Sequence, residues 1–310
     1  MLYGNTFNDE DCVRYLTAKS ARLARYPYFG PRIMKCVRNN VETINAIRLD
    51  GVIVCRGLLL KKDVVKLGTE VGIQVAKGRH GRIRDHRREI DENRAIGDYL
   101  YVEESDRPLG EDAIRHVAGN ISMASPLTTL KGAASLVFTR HMIDIATAYF
   151  ECTPMISFVK VQKLFANDIA PVDNQLFHAD AGSFRLLKAL VYLNDVDMDG
   201  EQFVYVRSSH LKRSEDWLTK DRFSDKEIER SYGKENVLAI TAKAGNVVFF
   251  EGTGIHKGLK PVVCDRQALI VNFCVQEEYG FAFDPVKIGK DEYNGLLDFE
   301  KAVADGLVQE

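Results

Sequence analysis

The spacing of apolar residues in this 310-residue chain changes character along its length, and the changes divide it. From Asp11 to Arg25 apolar positions recur at helical spacing, and Tyr26-Pro-Tyr-Phe-Gly-Pro31 interrupts them. Residues 1–48 are therefore predicted to be helical segments packed on the outside of a core. Asp50-Gly51 is a turn signal, Val52 to Cys55 is a short buried-strand pattern, and Gly57 ends it. Lys61 to Val71 returns to helical spacing, with Val64, Val65, Leu67 and Val71 apolar. Residues 111–151 read as helical through Ile114, Val117, Ile121, Leu136, Met142, Ile145 and Tyr149, the second half packing on a sheet.

At Met155 the texture turns to short β-rich runs separated by turn residues. The predicted strands are Met155 to Leu164, Leu176 to Asp180, Leu187 to Asn194, Gln202 to Val206, Val237 to Thr241, Asn246 to Phe250 and Gln267 to Val275. That number of strands suits a jelly roll, whose interior holds a small-molecule site. The fold expected is mainly β with flanking helices around a jelly-roll, cupin-like core. All of 1–310 is read as one domain. Residues 1–48 form an N-terminal helical extension, 50–154 an outer strand with supporting helices, 155–276 the core, and 285–310 a helical tail carrying Tyr293, Leu296, Leu297, Phe299 and Val303. Within the core, 211–233 breaks the strand pattern, with Trp217, Leu218 and Ile228 among many charges, and is predicted to be a helical insertion overhanging the site.

Composition narrows the function without naming it. The hydrophobic fraction is 45% and the charged fraction 28%, ordinary for a globular chain with a sizeable core. A net charge of −2 gives no global pull toward nucleic acid or an anionic membrane. The longest apolar runs are too short to span a bilayer, and the N-terminus has no apolar leader pattern. Six cysteines without a C-x-x-C pair read as reduced, mostly buried thiols, so a cytoplasmic location is expected. One segment stands apart: Lys77 to Arg94 holds seven basic and four acidic residues. It reads as a solvated loop or helix face, or as a mobile flap whose Arg79, Arg82, Arg84, Arg87 or Arg88 meets an anionic substrate.

Of seven histidines, His80, His86, His116 and His141 lie in polar or helical contexts without a partner at ligand spacing. His178 and His256 border apolar β runs instead. If Phe177 to Asp180 is extended, His178 and Asp180 share one face with Ala179 on the other. Adding His256 gives two imidazoles and a carboxylate, the set that binds non-haem Fe(II) and leaves positions open. A hairpin of Asn246–His256 with Asp265–Val275, centred near Pro261, would put His256 opposite Arg266. A guanidinium there holds a dicarboxylate by paired hydrogen bonds, so a 2-oxoacid bridging metal and Arg266 fills the gap. In Phe158-Val-Lys-Val-Gln-Lys163 the valines share one face. Lys160 and Gln162 then point into the pocket if the valines meet the helices, while a lysine snorkelling to solvent is the alternative. Ser209-His210 has no nucleophile elbow before a helix and reads as a turn. Gly252-Thr-Gly254 has no helix after it and is not a dinucleotide loop.

Five pieces in order carry a resemblance: Asp50 to Leu60 with the helix after it, His178-x-Asp180, Leu193 to Gly200, Val206-Arg-Ser-Ser-His-Leu211, and Gly245-Asn-Val-Val-Phe-Phe250 with His256 and Arg266. Together, from Asp50 to about Cys274, they resemble the phytanoyl-CoA dioxygenase family of Fe(II)- and 2-oxoglutarate-dependent oxygenases. The resemblance implies a double-stranded β-helix, iron held by His178, Asp180 and His256, and 2-oxoglutarate bound by Arg266, with O2 as the second co-substrate. The chain departs from the family at Ser208-Ser209 and Gly245-Asn246, both turn positions, and at Leu190, where an aromatic is common. Related halogenases carry a small residue where this chain has Asp180, so an oxygenase is implied.

The activity expected is hydroxylation of an unactivated C–H in a small to medium, anionic or zwitterionic metabolite, releasing succinate and CO2. Desaturation, epoxidation or cyclisation would use the same cofactor set. Two other classes compete: a non-catalytic metal- or ligand-sensing cupin-like module, and a cupin-type isomerase or dioxygenase that uses no 2-oxoacid. No nucleic-acid or membrane partner is expected, and the residues leave monomer and homodimer open.

Overall fold

The computed structural model describes residues 9–78, 82–93, 115, 118–180, 184–197, 202–212, 221–276 and 285–310, without the side chains of 82, 84, 86 and 118–120. The helices predicted at the N-terminus are Asp9–Arg25, Gly30–Asn39 and Val41–Asp50, followed by strand β1 (Val52–Cys55) and helix Lys61–Ala76. Gly51 makes the change of direction between helix and β1, in the left-handed region at φ +85°.

Two layers of strand form the core. The major sheet has the order β1-β8-β5-β10-β4-β3-β2, using β2 (Arg82–Asp85), β3 (Ala118–Ser122), β4 (Met155–Leu164), β5 (Leu187–Tyr192), β8 (Val247–Glu251) and β10 (Arg266–Cys274). The minor sheet is β7-β6-β9, from β6 (Phe203–Val206), β7 (Val237–Ile240) and β9 (His256–Gly258). All sheet pairings in these two layers are antiparallel, as a jelly roll requires.

Alternation along the central strands sorts side chains to two cores. Leu187, Ala189, Val191, Val247, Phe249, Leu269, Val271 and Phe273 face the helices, joining Ile47, Leu67, Met142 and Ile145. Leu190, Tyr192, Val248, Phe250 and Ala268 face inward and meet Phe203 and Tyr205 of β6. Strands buried on both faces lose alternation in hydrophobicity, which is why these runs read as continuous apolar stretches. A third cluster, Phe177, Val204, Val206, Phe223, Ile228 and Ile255, covers the other side of the minor sheet. Ile228 belongs to helix Asp225–Tyr232, started by a capping box in which Ser224 N donates to Glu227 at 2.8 Å.

The ends of the chain are tied to the sheet by one buried cation. Arg22 donates to Pro154 O at 3.0 Å and to Ala302 O at 2.8 Å, joining the first helix, the start of β4 and helix Asp298–Val303.

Several expectations are corrected. Ile121 lies in a strand and not a helix: β3 extends the sheet edge against β4, and pairing overrides the helical spacing around it. Lys77 to Arg94 is not a bare loop, since β2 pairs with β3 and helix His86–Asp91 follows, capped by Asp85 accepting from Arg88 N. Arg79, Arg94, His80, His116, Trp217 and Leu218 lie outside the described residues. The strand expected at Leu176–Asp180 reduces to two isolated bridges, Phe177↔Phe223 and His178↔His256. The tail is two short helices, Lys290–Gly295 and Asp298–Val303, with Val308–Gln309 pairing in parallel to Lys287–Ile288. Of the six free cysteines, Cys36, Cys152 and Cys274 are buried, Cys12 and Cys55 partly so, and Cys264 is exposed.

The hairpin predicted from Asn246 to Val275 is also absent. β8 pairs with β1 and β5, β9 crosses to the minor sheet to pair with β6, and β10 returns to the major sheet between β5 and β4. The turn through Gly252-Thr253-Gly254 carries the chain from one layer to the other.

Candidate metal centre and cation-lined interior

The crossing at Gly252 to Gly254 assembles the centre. His178 N donates to His256 O at 3.0 Å and His256 N to His178 O at 2.8 Å, so the two histidines are locked side by side. Asp180 N donates to Gly252 O at 3.0 Å, fixing the carboxylate one turn of backbone away. Gly252 is required there: a Cβ at this position would sit 2.9 Å from Asp180 Oδ2. His178, Asp180 and His256 bring one ligand atom each to within 4.8 Å of one another.

The imidazole orientations fit a metal. His178 Nδ1 lies 2.9 Å from Leu176 O and His256 Nδ1 lies 2.9 Å from Gly254 O. Each Nδ1–H therefore donates to a carbonyl, and each Nε2 keeps its lone pair for an ion. Protonation agrees. Burial lowers both imidazoles, His256 to about 3. Burial would raise the Asp180 carboxyl, but the Lys188 ammonium beside it outweighs that and holds it below the ordinary carboxylate range. Neutral imidazoles and an ionised carboxylate are the forms that bind a divalent metal. Two buried nitrogens and one oxygen suit a first-row transition metal better than Mg2+ or Ca2+.

Aromatic rings shield this centre. The Phe250 ring centroid is 5.0 Å from that of His256, Phe203 is at 5.6 Å, and Tyr205 stacks on the far side at 6.4 Å. Tyr205 donates to Glu251 O at 3.1 Å, and Ser209 Oγ accepts from Ile255 N at 2.7 Å, bracing the crossing segment. This is the turn role expected of Ser209. His210 contacts Arg48 O at 3.0 Å and takes no part in the centre.

Arg266 reaches the same interior by a route different from the predicted hairpin. It is 5% exposed at the start of β10, opposite Leu164 of β4. A Cβ on Gly258 would lie 3.0 Å from Arg266 Nη2. The guanidinium thus rests against β9 two residues beyond His256, on the face that His256 occupies. Gln162 pairs with Ala268 and Lys160 with Ile270, so both share the face of Arg266, while Val159 and Val161 lie in the helix-side core. Gln162 is buried and Lys160 half-buried.

Two functional-looking residues escaped the sequence reading. Lys188 on β5 places Nζ 2.7 Å from Asp180 Oδ2; within Leu-Leu-Lys-Ala-Leu it looks like a snorkelling lysine. Glu251 is buried behind the crossing turn, where it accepts from Leu186 N at 2.8 Å. Burial pushes its carboxyl up to about 8 against the pull of that hydrogen bond. The basic segment contributes surface pairs: Arg87 to Asp168 and Arg88 to Glu92, both at 2.6 Å.

No protein-family model matches the chain, and no curated protein sequence does. Solved structures do. The chain is similar to the non-haem alpha-ketoglutarate-dependent carbocyclase SnoK from nogalamycin biosynthesis (18% identity, TM-score 0.51, 75% of this chain and 83% of that one). It is also similar to the epimerase SnoN of the same biosynthesis (14%, 0.52, 78% and 90%). A third likeness is to EctD from S. alaskensis, solved with 2-oxoglutarate and 5-hydroxyectoine (14%, 0.52, 75% and 75%). At these identities the likeness establishes the double-stranded β-helix fold.

Proposed function

We propose that the protein is an Fe(II)- and 2-oxoglutarate-dependent oxygenase acting on a small to medium, anionic or zwitterionic metabolite. The observation that carries this reading is the placement of Arg266 against Gly258, two residues along β9 from His256. A three-donor metal centre and a buried guanidinium lining one interior are the two halves of a 2-oxoacid site. The fold shared with SnoK, SnoN and EctD, whose names or ligands include alpha-ketoglutarate, supports it.

His178, Asp180 and His256 hold the iron. Iron with 2-oxoglutarate and O2 supplies the oxidation of a substrate C–H, with release of succinate and CO2. The chain supplies position. Arg266 pairs with the far carboxylate of 2-oxoglutarate in a bidentate contact that lysine cannot reproduce. Gln162 and Lys160 line the co-substrate along β4. Leu190, where the family that the sequence resembles commonly has an aromatic, lies in the inner cluster. Phe250 and Phe203 keep water from the imidazoles, which strengthens every charge interaction inside.

Hydroxylation is the outcome proposed. SnoK and SnoN are named a carbocyclase and an epimerase, so this fold serves other outcomes when the substrate sits differently. Succinate release measured with carboxylate, amino-acid and CoA-linked candidates tests the reading. Turnover of 2-oxoglutarate that requires Fe(II) and rises with one candidate is expected. Absence of any Fe(II)-dependent succinate, even the slow release that occurs without substrate, overturns it. Reversing the charge of Arg84, Arg87 and Arg88 together is expected to depress turnover, and unchanged turnover would remove the anionic substrate from the proposal.

A further inference from the structure

Among the described residues, Lys188 is a charged side chain that touches a candidate metal ligand and that the proposed function leaves without a task. β5 presents it to the interior: its register partners are Asn272 of β10 and Phe250 of β8, and Phe250 lies in the inner cluster. Its side chain is 15% exposed, and Nζ is 2.7 Å from Asp180 Oδ2. That same oxygen lies 3.4 Å from His256 Nε2, the spacing of two donors to one ion. Gly252 closes the carboxylate from the other side.

An ion bound by His256 Nε2 and the Asp180 carboxylate therefore shares that carboxylate with an ammonium. Partners of metal ligands usually raise donor strength, as the carbonyls do for the two imidazoles, and losing one typically costs about 10- to 100-fold in affinity. A cation acts with the opposite sign. It draws electron density from the ligand oxygen and repels the dication through a dry, low-dielectric interior. The close ion pair also holds the carboxylate against the ammonium.

We infer that Lys188 is a positioning residue that acts on the metal through Asp180, orienting the carboxylate by the close contact of its ammonium and weakening the hold on the ion by its charge. The inference rests on the metal-centre reading above. It gives the charge and the polar contact separate consequences, and substitutions separate them.

Co(II), whose visible d–d bands report coordination, is titrated into the full-length protein and its variants. Lys188→Gln keeps a donor and removes the charge: about tenfold tighter Co(II) binding with the wild-type spectrum is expected. Lys188→Met removes both, and tighter binding with an altered band is expected as the carboxylate turns. Lys188→Arg keeps both and is expected to match wild type. Far-UV circular dichroism checks that each variant folds, and the Gln variant alone decides the sign if the Met variant does not. Affinity unchanged or weakened in Lys188→Gln overturns the inference. So does a Lys188→Met spectrum identical to that of wild type. Asp180→Ala run alongside separates the two failures: if it binds Co(II) as wild type does, the metal-centre reading itself is wrong.

Discussion

The two sheets contribute differently to the site. The candidate metal ligands belong to the thin layer: His256 is on β9, a strand of three residues, His178 bridges to it, and Asp180 hangs on Gly252. The interior cations belong to the thick layer: Lys160, Lys188 and Arg266 stand on β4, β5 and β10, strands of ten, six and nine residues. Ligand geometry in the thin layer is secured by local backbone exchange and by carbonyls that grip each imidazole. Cation geometry in the thick layer is secured by ladder pairing and a core packed against helices. Lys188 apart, metal affinity and co-substrate affinity are separable properties of one interior, and the His178, Arg266 and Gly258 substitutions below each act on one of them.

The largest effect is expected on the ligands. His178→Ala should lower metal affinity by more than about 100-fold, because loss of a ligand's outer partner alone costs about 10- to 100-fold; equilibrium dialysis with Fe(II) under anaerobic conditions measures it. Arg266→Ala comes next. Water replaces part of its contact, so the net loss is taken as that of one charged hydrogen bond, roughly 1.5–3 kcal/mol, and 2-oxoglutarate affinity by calorimetry should fall roughly 10- to 100-fold with metal affinity intact. Arg266→Lys should recover only part of the loss.

Glu251 gives a pH test of the turn that joins the layers. Its carboxyl is raised by burial to about 8 from an ordinary value near 4.5. Across that window the folded chain keeps a proton that the unfolded chain has released. The contribution is full below about pH 4.5, declines as pH rises, and is gone above about 8. Thermal melts should show Tm falling over this range, and Glu251→Gln should flatten the dependence. The smallest effect is expected from Gly258→Ala, whose Cβ meets the far end of the flexible Arg266 side chain. A severalfold weakening of 2-oxoglutarate with no change in metal binding would place the co-substrate against β9.

How much of this was legible in the chain follows from the same contrast. The thick layer could be read, since β4 is predicted with its observed ends and β5, β8 and β10 within two residues. Long apolar runs bounded by turns leave little room for another reading. The His178-x-Asp180 pair, His256 and Arg266 were legible as residue types because few chemistries need that combination. Their arrangement was not. His256-Lys-Gly258 is too short to show any period, so the chain from Asn246 to Val275 looked like one hairpin where two crossings occur. β2 was hidden because Arg82-Ile-Arg84-Asp85 reads as a charged exposed stretch, although Ile83 is 1% exposed. Lys188 was missed because nothing local distinguishes a lysine aimed at a carboxylate from one that snorkels. Gly252 and Gly258 matter through the side chains they make room for, which only the assembled fold reveals.

One titration bears most directly on the division between the layers. Under anaerobic conditions, Fe(II) and then 2-oxoglutarate are added to wild type, Arg266→Ala and His178→Ala while visible absorption is followed. Wild type is expected to develop a weak charge-transfer band that requires both additions. Arg266→Ala should bind Fe(II) normally yet need far more 2-oxoglutarate for the band, and His178→Ala should give none. No band in wild type at any 2-oxoglutarate concentration, or an Arg266→Ala titration that overlays wild type, would contradict the account.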